Sequence, residues 1–351
     1  MTKALTTAEF LDLSAKVPLL DVRSPAEFAN AHIPGAISFP LFTDSERAAV
    51  GTRFKQSGKR QAILMGLDFV GPHLTGFVRD AMDLAPSSEV CLHCWRGGMR
   101  SSSMAWLLDT VGFTTYILHG GYKSYRKYAH ELFSKSWSMI VLGGYTGSAK
   151  TEILAVLRSE GEQVIDLECL AAHLGSAFGS LGSLQQPSQE MFENLLAADL
   201  ARLDPAKPVW IEDESLNIGK LQIPMNFWHK MQHAPLMRLN LPAQERLAFI
   251  MERYGSLDAE FLSACTFKLR KRLGPEKTKI CLDYISRGEI MPAAAILLEY
   301  YDKCYSNCVA RRMPETVIKL DFPGLDLKHI AQELQEEAAK ANFYLYEQYH
   351  H

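Results

Sequence analysis

Apolar positions along the chain fall into two series of short continuous runs, each closed by a turn and followed by a helix-like stretch. Pro18 to Val22 reads as a buried strand, then come a turn, a short helix and a second strand entered through Ile33-Pro34-Gly35-Ala36. Uninterrupted apolar runs suit strands covered on both faces, and strand-helix-strand is the unit of a parallel sheet. SSEVCLHC repeats the pattern, its β-run ending at Cys94 before a glycine loop and the helical SSSMAWLLDTVGF, and TTYIL is a further strand closed by Gly120-Gly121. Trp106 to Leu108 and Gly112-Phe113 are expected in the core. SWSMIVLGG starts the second series: strand Met139 to Leu142, loop Gly143 to Ala149, helix Lys150 to Arg158, and later the strand of PVWIEDES. From Pro242 onward strand signals nearly vanish, and AQERLAFIMERYG and AAAILLEYYDKCYSNCVARR read as helices. The fold class is therefore α/β: an N-terminal domain over 1–133 with a parallel sheet and flanking helices, then a second α/β domain over 138–351, helical from about 243.

Composition changes this picture little. A chain of 351 residues suits two domains, and 47% hydrophobic with 22% charged residues excludes a mostly disordered or fibrous protein. A formal net charge of −3 provides no global attraction for nucleic acid, so such a partner needs a local basic patch. The opening MTKALTTAEFLDLSAK has no continuous apolar core, and no run approaches the roughly 18 residues of a membrane span. The seven cysteines are odd in number and lack disulfide-scaffold spacing, so the expectation is a reduced, cytoplasmic protein without a membrane partner.

The densest chemistry lies in HCWRGGMRS, residues 93–101. A thiolate is the useful nucleophile, and three features favour it at Cys94: the charges of Arg96 and Arg100, backbone N–H groups turned inward at Gly97 and Gly98, and the N-terminus of the helix starting near Ser101. The same loop can cradle a tetrahedral anion. Cys91 and Cys94 form a C-x-x-C pair, but in a strand Cys91 points into the sheet, and His93 is a candidate acid or base.

A second loop, GGYTGSAKT, follows a strand and opens a helix, close to the phosphate-binding pattern G-x4-G-K-[ST]. Gly144, Thr146, Gly147 and Ser148 would present backbone N–H groups to a diphosphate, Lys150 would reach its outer oxygens, and Thr151 would ligate Mg²⁺, a candidate ion. Ala149 stands where the pattern has its second glycine. Glu212, Asp213 and Glu214 end the apolar strand VWI, as a metal-supporting carboxylate does, with Asp213 the first choice by position. Cys304 and Cys308 share a helical face without further ligands, so no structural metal site is expected.

Two basic stretches are candidate RNA contacts: Lys268, Arg270, Lys271 and Arg272 in KLRKRLGPEKTK, and Lys123, Arg126 and Lys127 interleaved with tyrosines that could stack on bases in YKSYRKY.

LLDVRSPAEF, HIPGA, CWRGGMRS and HGGY, in that order, resemble a rhodanese domain, which makes Cys94 the persulfide-type cysteine and Asp21, Arg23, Glu27, His32 and Gly35 parts of its opening signature. The C-x5-R spacing from Cys94 to Arg100 also resembles rhodanese-fold dual-specificity phosphatases. The full order, continuing through GGYTGSAKT, GSAFG with a Gln-rich stretch, FENLLAA, EDES-x-x-IG and LLEYYDKCY, resembles the tRNA 2-selenouridine synthase family. That resemblance implies replacement of sulfur by selenium at C2 of the wobble 2-thiouridine of tRNA through an S-geranyl intermediate. Selenophosphate and geranyl diphosphate would be co-substrates, no cofactor would be tightly bound, and the partner would be tRNA rather than DNA. It assigns Cys94 to the chalcogen step, the 144–151 loop to the geranyl donor, and Gly66 to a place beside the rhodanese site. Leu174 departs from the arginine usual in the family. The rival readings are a C-x5-R phosphatase and a non-catalytic sulfur carrier or RNA-binding protein whose P-loop is inactivated by Ala149.

Overall fold

The computed structural model describes residues 2–173, 185–255 and 257–340, so Leu174 and the GSAFG segment lie outside the described residues. The chain divides into two compact units, one comprising the residues up to Leu132 with Glu193–Ala198, the other the remainder.

Among the described residues, the first unit holds a five-stranded parallel sheet in the order Lys3–Leu5, Thr114–Leu118, Glu89–His93, Leu19–Asp21, Ile37–Ser38. Leu20, Leu92 and Leu108 are fully buried in its core. Leu108 and Phe113 meet the expectation of burial, but Trp106 is 66% exposed, because helix Met99–Thr110 turns only one face to the sheet. The opening signature is structural. Asp21 accepts a two-pronged ion pair from Arg23, both side chains wholly buried, and Arg23 also donates to the Ala31 carbonyl at 2.7 Å. Ser24 and Glu27 form a capping box on helix Pro25–Asn30.

The second unit is built on another five-stranded parallel sheet in the order Val317–Asp321, Leu236–Asn240, Met139–Gly144, Val209–Glu212, Gln163–Ile165. Met139–Gly144 is central and buried along its whole length, which explains its unbroken apolar run. Among the described residues Val317–Asp321 is the one strand after Pro242, where strand signals nearly vanish. It is an edge strand of partly exposed residues, so VIKLD lacks the continuous apolar signal of its neighbours. Helices Ala243–Tyr254, Ala259–Lys268, Pro275–Ser286 and Ile290–Val309 provide the expected helical part, with a core that includes Leu262, Cys281, Ile285 and Leu297. Among the described residues no helix is long and apolar enough to cross a membrane.

Candidate functional site

Strand Glu89–His93 delivers Cys94 to the carboxyl edge of the first sheet, and helix Met99–Thr110 departs with Gly98 as its N-cap. The Gly98 N–H donates to Cys94 Sγ at 3.3 Å and Ser101 Oγ lies 3.2 Å from the same sulfur, so the helix end faces the thiol as expected. Cys94 itself is only 3% exposed. The HGGY turn clamps this loop. Tyr122 N–H donates to the Cys94 carbonyl at 2.8 Å, and a Cβ on Gly121, whose φ is +63°, would fall 2.3 Å from that oxygen. The guanidinium of Arg23 lies 3.9 Å over the Tyr122 ring, tying the opening signature to the cysteine loop.

The two arginines differ. Arg96 is exposed at the loop tip, whereas Arg100 donates to Glu27 at 2.7 Å. Burial opposes the charge of Glu27, but Arg100, the Ser24 amide and Arg47 together hold its carboxyl below the usual range. Gly66 is buried on helix Asp44–Val70 and shares a cavity of about 220 Å³ with Met99, Arg100 and Ser103 of the cysteine loop's helix. Burial, with the Glu89 charge adding, pushes Cys91 up to about 12, so it stays a thiol at neutral pH and no dithiol chemistry is supported. His93 is wholly buried and burial pushes its imidazole down to about 4, leaving it neutral near pH 7.

In the second unit the central strand runs into the loop 145–149, and helix Lys150–Ser159 follows. A Cβ on Gly147, φ +83°, would meet the Arg246 carbonyl at 2.7 Å, so only glycine lets the loop lie against helix Ala243–Tyr254. Arg246, 3% exposed, donates to the Thr146 carbonyl at 3.1 Å and grips Asp302 through two bonds of 2.8 and 2.7 Å. Lys150 Nζ lies 3.4 Å from the Gly144 carbonyl, and Ser148 Oγ donates to the Tyr145 carbonyl at 2.6 Å.

The acids sort differently from the expectation. Asp213 is not the free carboxylate of the site: it pairs with Arg312 at 2.9 Å and accepts from Tyr305 at 3.0 Å. The carboxylates that converge are Glu212, Glu214 and Glu168, with ligand atoms within 4.8 Å of one another, and Thr151 Oγ1 donates to Glu168 at 3.4 Å. Glu212 is fully buried with Oε2 unpartnered, and burial followed by the charges of Glu168 and Glu214 raises its carboxyl well above the usual value. Burial and Glu168 push Glu214 up to about 8. A hard divalent cation fits this set, since it would satisfy the orphaned oxygen and relieve the mutual repulsion.

The sequence profile described as the tRNA 2-selenouridine synthase AAA domain matches residues 137–288, and that of the rhodanese-like domain matches 6–128. A protein of Shewanella denitrificans described as tRNA 2-selenouridine synthase is 34% identical over 92% of this chain and 96% of its own length. The chain belongs to the tRNA 2-selenouridine synthase family. A relative of the same description from Pseudomonas syringae pv. syringae is 37% identical over 88% of this chain and 92% of its own. Another, from Nitrosomonas europaea, is 38% identical over 68% of this chain and 64% of its own.

Within this member of the tRNA 2-selenouridine synthase family, the basic residues divide. Lys268, Arg270, Lys271 and Arg272 are all exposed, and Arg270 lies 4.3 Å over the ring of Phe267, itself 52% exposed. The other stretch corrects the stacking expectation: Tyr122 and Tyr125 are buried and Tyr128 is half-buried, because YKSYRKY sits on helix Gly121–Ser134 with its aromatic face inward. Arg126 is engaged by Glu193 and Asn194, and Lys127 lies 3.5 Å from Glu131, while Lys123 is exposed. Glu168 and Arg246 carry no sequence signal of their own, and Asp302, although it lies within LLEYYDKCY, is not marked there as the partner of Arg246. Their significance depends on packing.

Ala149 adopts the left-handed conformation, φ 51° and ψ 36°, a geometry that costs a residue with Cβ about 1–2 kcal/mol. Glycine would relieve this and lose about 0.5–1 kcal/mol to its freer unfolded chain. Ala149→Gly is therefore expected to stabilise the protein by at most about 1.5 kcal/mol, read as a higher midpoint in chemical denaturation.

The acidic cluster predicts a pH dependence. Glu214 keeps its proton in the folded chain up to about 8, whereas in the unfolded chain it is lost near the usual carboxylate value of about 4.3. Between these limits the folded state binds more protons, so stability contributed below pH ~4.3 is lost as pH rises through the folded value. Metal-free protein should melt lower at about pH 8.5 than at about pH 5.5, and Glu214→Gln should flatten that slope. Mg²⁺ should restore stability at the higher pH.

Proposed function

We propose that this chain replaces sulfur by selenium at C2 of the wobble 2-thiouridine of tRNA, in two transfers divided between its units. Support comes chiefly from one observation: relatives described as tRNA 2-selenouridine synthase match the chain across both units, one of them over 92% of it. In the first transfer the thiocarbonyl sulfur attacks C1 of geranyl diphosphate, an S–C bond forms, the C–O bond breaks, and diphosphate leaves. Lys150 and the backbone N–H groups of loop 144–149, apart from that of Ser148, which donates to the Tyr145 carbonyl at 3.1 Å, would bind that leaving group. Thr151, Glu168, Glu212 and Glu214 would hold a Mg²⁺ ion, which supplies charge neutralisation at the departing diphosphate.

Alkylation turns the sulfur into a leaving group. In the second transfer the selenium of selenophosphate adds at C2 and the C–S bond breaks, releasing the geranyl thiolate; water then cleaves the Se–P bond and inorganic phosphate leaves. Cys94 would handle the chalcogen, with the Gly98 N–H and Ser101 poised to stabilise charge on its sulfur. The exposed Arg96 is free to meet the anionic donor, while the Arg100–Glu27 pair holds the loop. That pairing also argues against a C-x5-R phosphatase, whose arginine must face the phosphate. The stretch Lys268 to Arg272 would meet tRNA phosphates.

The test is mass spectrometry of the wobble nucleoside after incubating 2-thiouridine tRNA with the protein, geranyl diphosphate and selenophosphate. Conversion to 2-selenouridine, with S-geranyl-2-thiouridine appearing when selenophosphate is omitted, supports the reading. Unchanged 2-thiouridine with folded, tRNA-bound protein overturns it.

A further inference from the structure

Beside the P-loop the helical part of the second unit encloses a slot of about 70 Å³, walled by Ile250, Leu262, Ile285, Ala294 and Leu297 from four different helices. The larger cleft over the P-loop, about 320 Å³, contains Lys150, Thr151, Glu168 and Glu214. The two share Thr146, Ile250 and Tyr301, so the slot opens onto the cleft at the loop itself. Its wall is almost entirely hydrocarbon. A purine or ribose placed there would leave its ring nitrogens and hydroxyls without partners, a cost an alkyl chain does not incur.

We infer that this slot is the subsite for the hydrocarbon tail of the donor, whose diphosphate head is bound by the P-loop. The inference rests on the prenyl diphosphate reading above and adds where the chain lies and what sets its length. Helices Ala243–Tyr254 and Ile290–Val309 serve both halves: the first abuts Gly147 and supplies Ile250, and the second supplies Asp302, which holds Arg246, together with Ala294 and Leu297. Head and tail sites are thereby held by the same two elements. A slot walled by side chains also measures length, since a longer chain must displace them.

The test is calorimetric titration of the full chain with inorganic diphosphate, then with geranyl and farnesyl diphosphates. Geranyl diphosphate should bind roughly a hundredfold tighter than inorganic diphosphate, because its tail leaves water. Ala294→Phe, at a half-buried position, should remove most of that advantage while leaving inorganic diphosphate affinity unchanged. Leu297→Ala, which enlarges the slot, should shift preference from the geranyl toward the farnesyl donor. Retention of the full advantage and of the chain-length preference in both variants, with unaltered melting, would overturn the subsite. A different result separates failure of the underlying reading: if neither diphosphate binds, or if both still bind Lys150→Ala as well as wild type, the head group is not at the P-loop and the inference falls with it.

Discussion

Lys150→Ala is expected to lower the rate of S-geranyl-2-thiouridine formation by roughly 10²–10³-fold, the usual cost of removing one preorganised group from a developing negative charge. Lys150 is the first residue of its helix, and its ammonium lies 3.4 Å from the Gly144 carbonyl, already folded back over the loop. Glu168 and Glu214 line the same cleft, with Glu212 buried beside them, so removing the ammonium would leave an anionic donor bound there with their repulsion no longer offset by Lys150. The fold should survive, because the buried contacts of that helix come from Ile153, Leu154 and Leu157. A variant that geranylates at the wild-type rate, measured at saturating tRNA, would remove the 144–151 loop from the first transfer.

Cys94→Ala should act on the other transfer. Selenouridine formation is expected to fall by more than roughly 10³-fold, as nucleophile deletions do, while S-geranyl-2-thiouridine accumulates at a rate within about twofold of wild type. The two effects separate because Cys94 and Lys150 belong to different compact units. Cys94→Ser sharpens the result: it preserves the small polar atom facing the Gly98 N–H and Ser101 but not the chalcogen chemistry, so it should fail like alanine. If both variants made selenouridine normally, Cys94 would be no more than a well-packed buried thiol, which its 3% exposure alone would also permit.

Both loops are legible in the order of residues along the chain, and for the same reason. HCWRGGMRS and GGYTGSAKT are contiguous strand-loop-helix segments, in which strand end, turned backbone and helix N-terminus come from fewer than ten successive residues. The acids after VWI are legible as a group, but not their division of labour. Asp213 is the best choice by position, yet the arrival of Arg312 and Tyr305 from distant segments commits it to structure and leaves Glu212 and Glu214 to meet Glu168. The tyrosines of YKSYRKY look available because a basic, aromatic string does not state which face of its helix is covered.

The amino-acid sequence alone determined the two α/β units, the thiol loop and the P-loop, because those features rest on local hydrogen bonding, apolar runs and helix ends. Tertiary structure decided the rest. The Tyr122 clamp on the Cys94 carbonyl, the Arg246–Asp302 support of the P-loop, the carboxylate cluster and the apolar slot all join residues far apart in the chain. Such groups acquire shifted charges, shared partners and a common cavity only when packing brings them within a few ångströms.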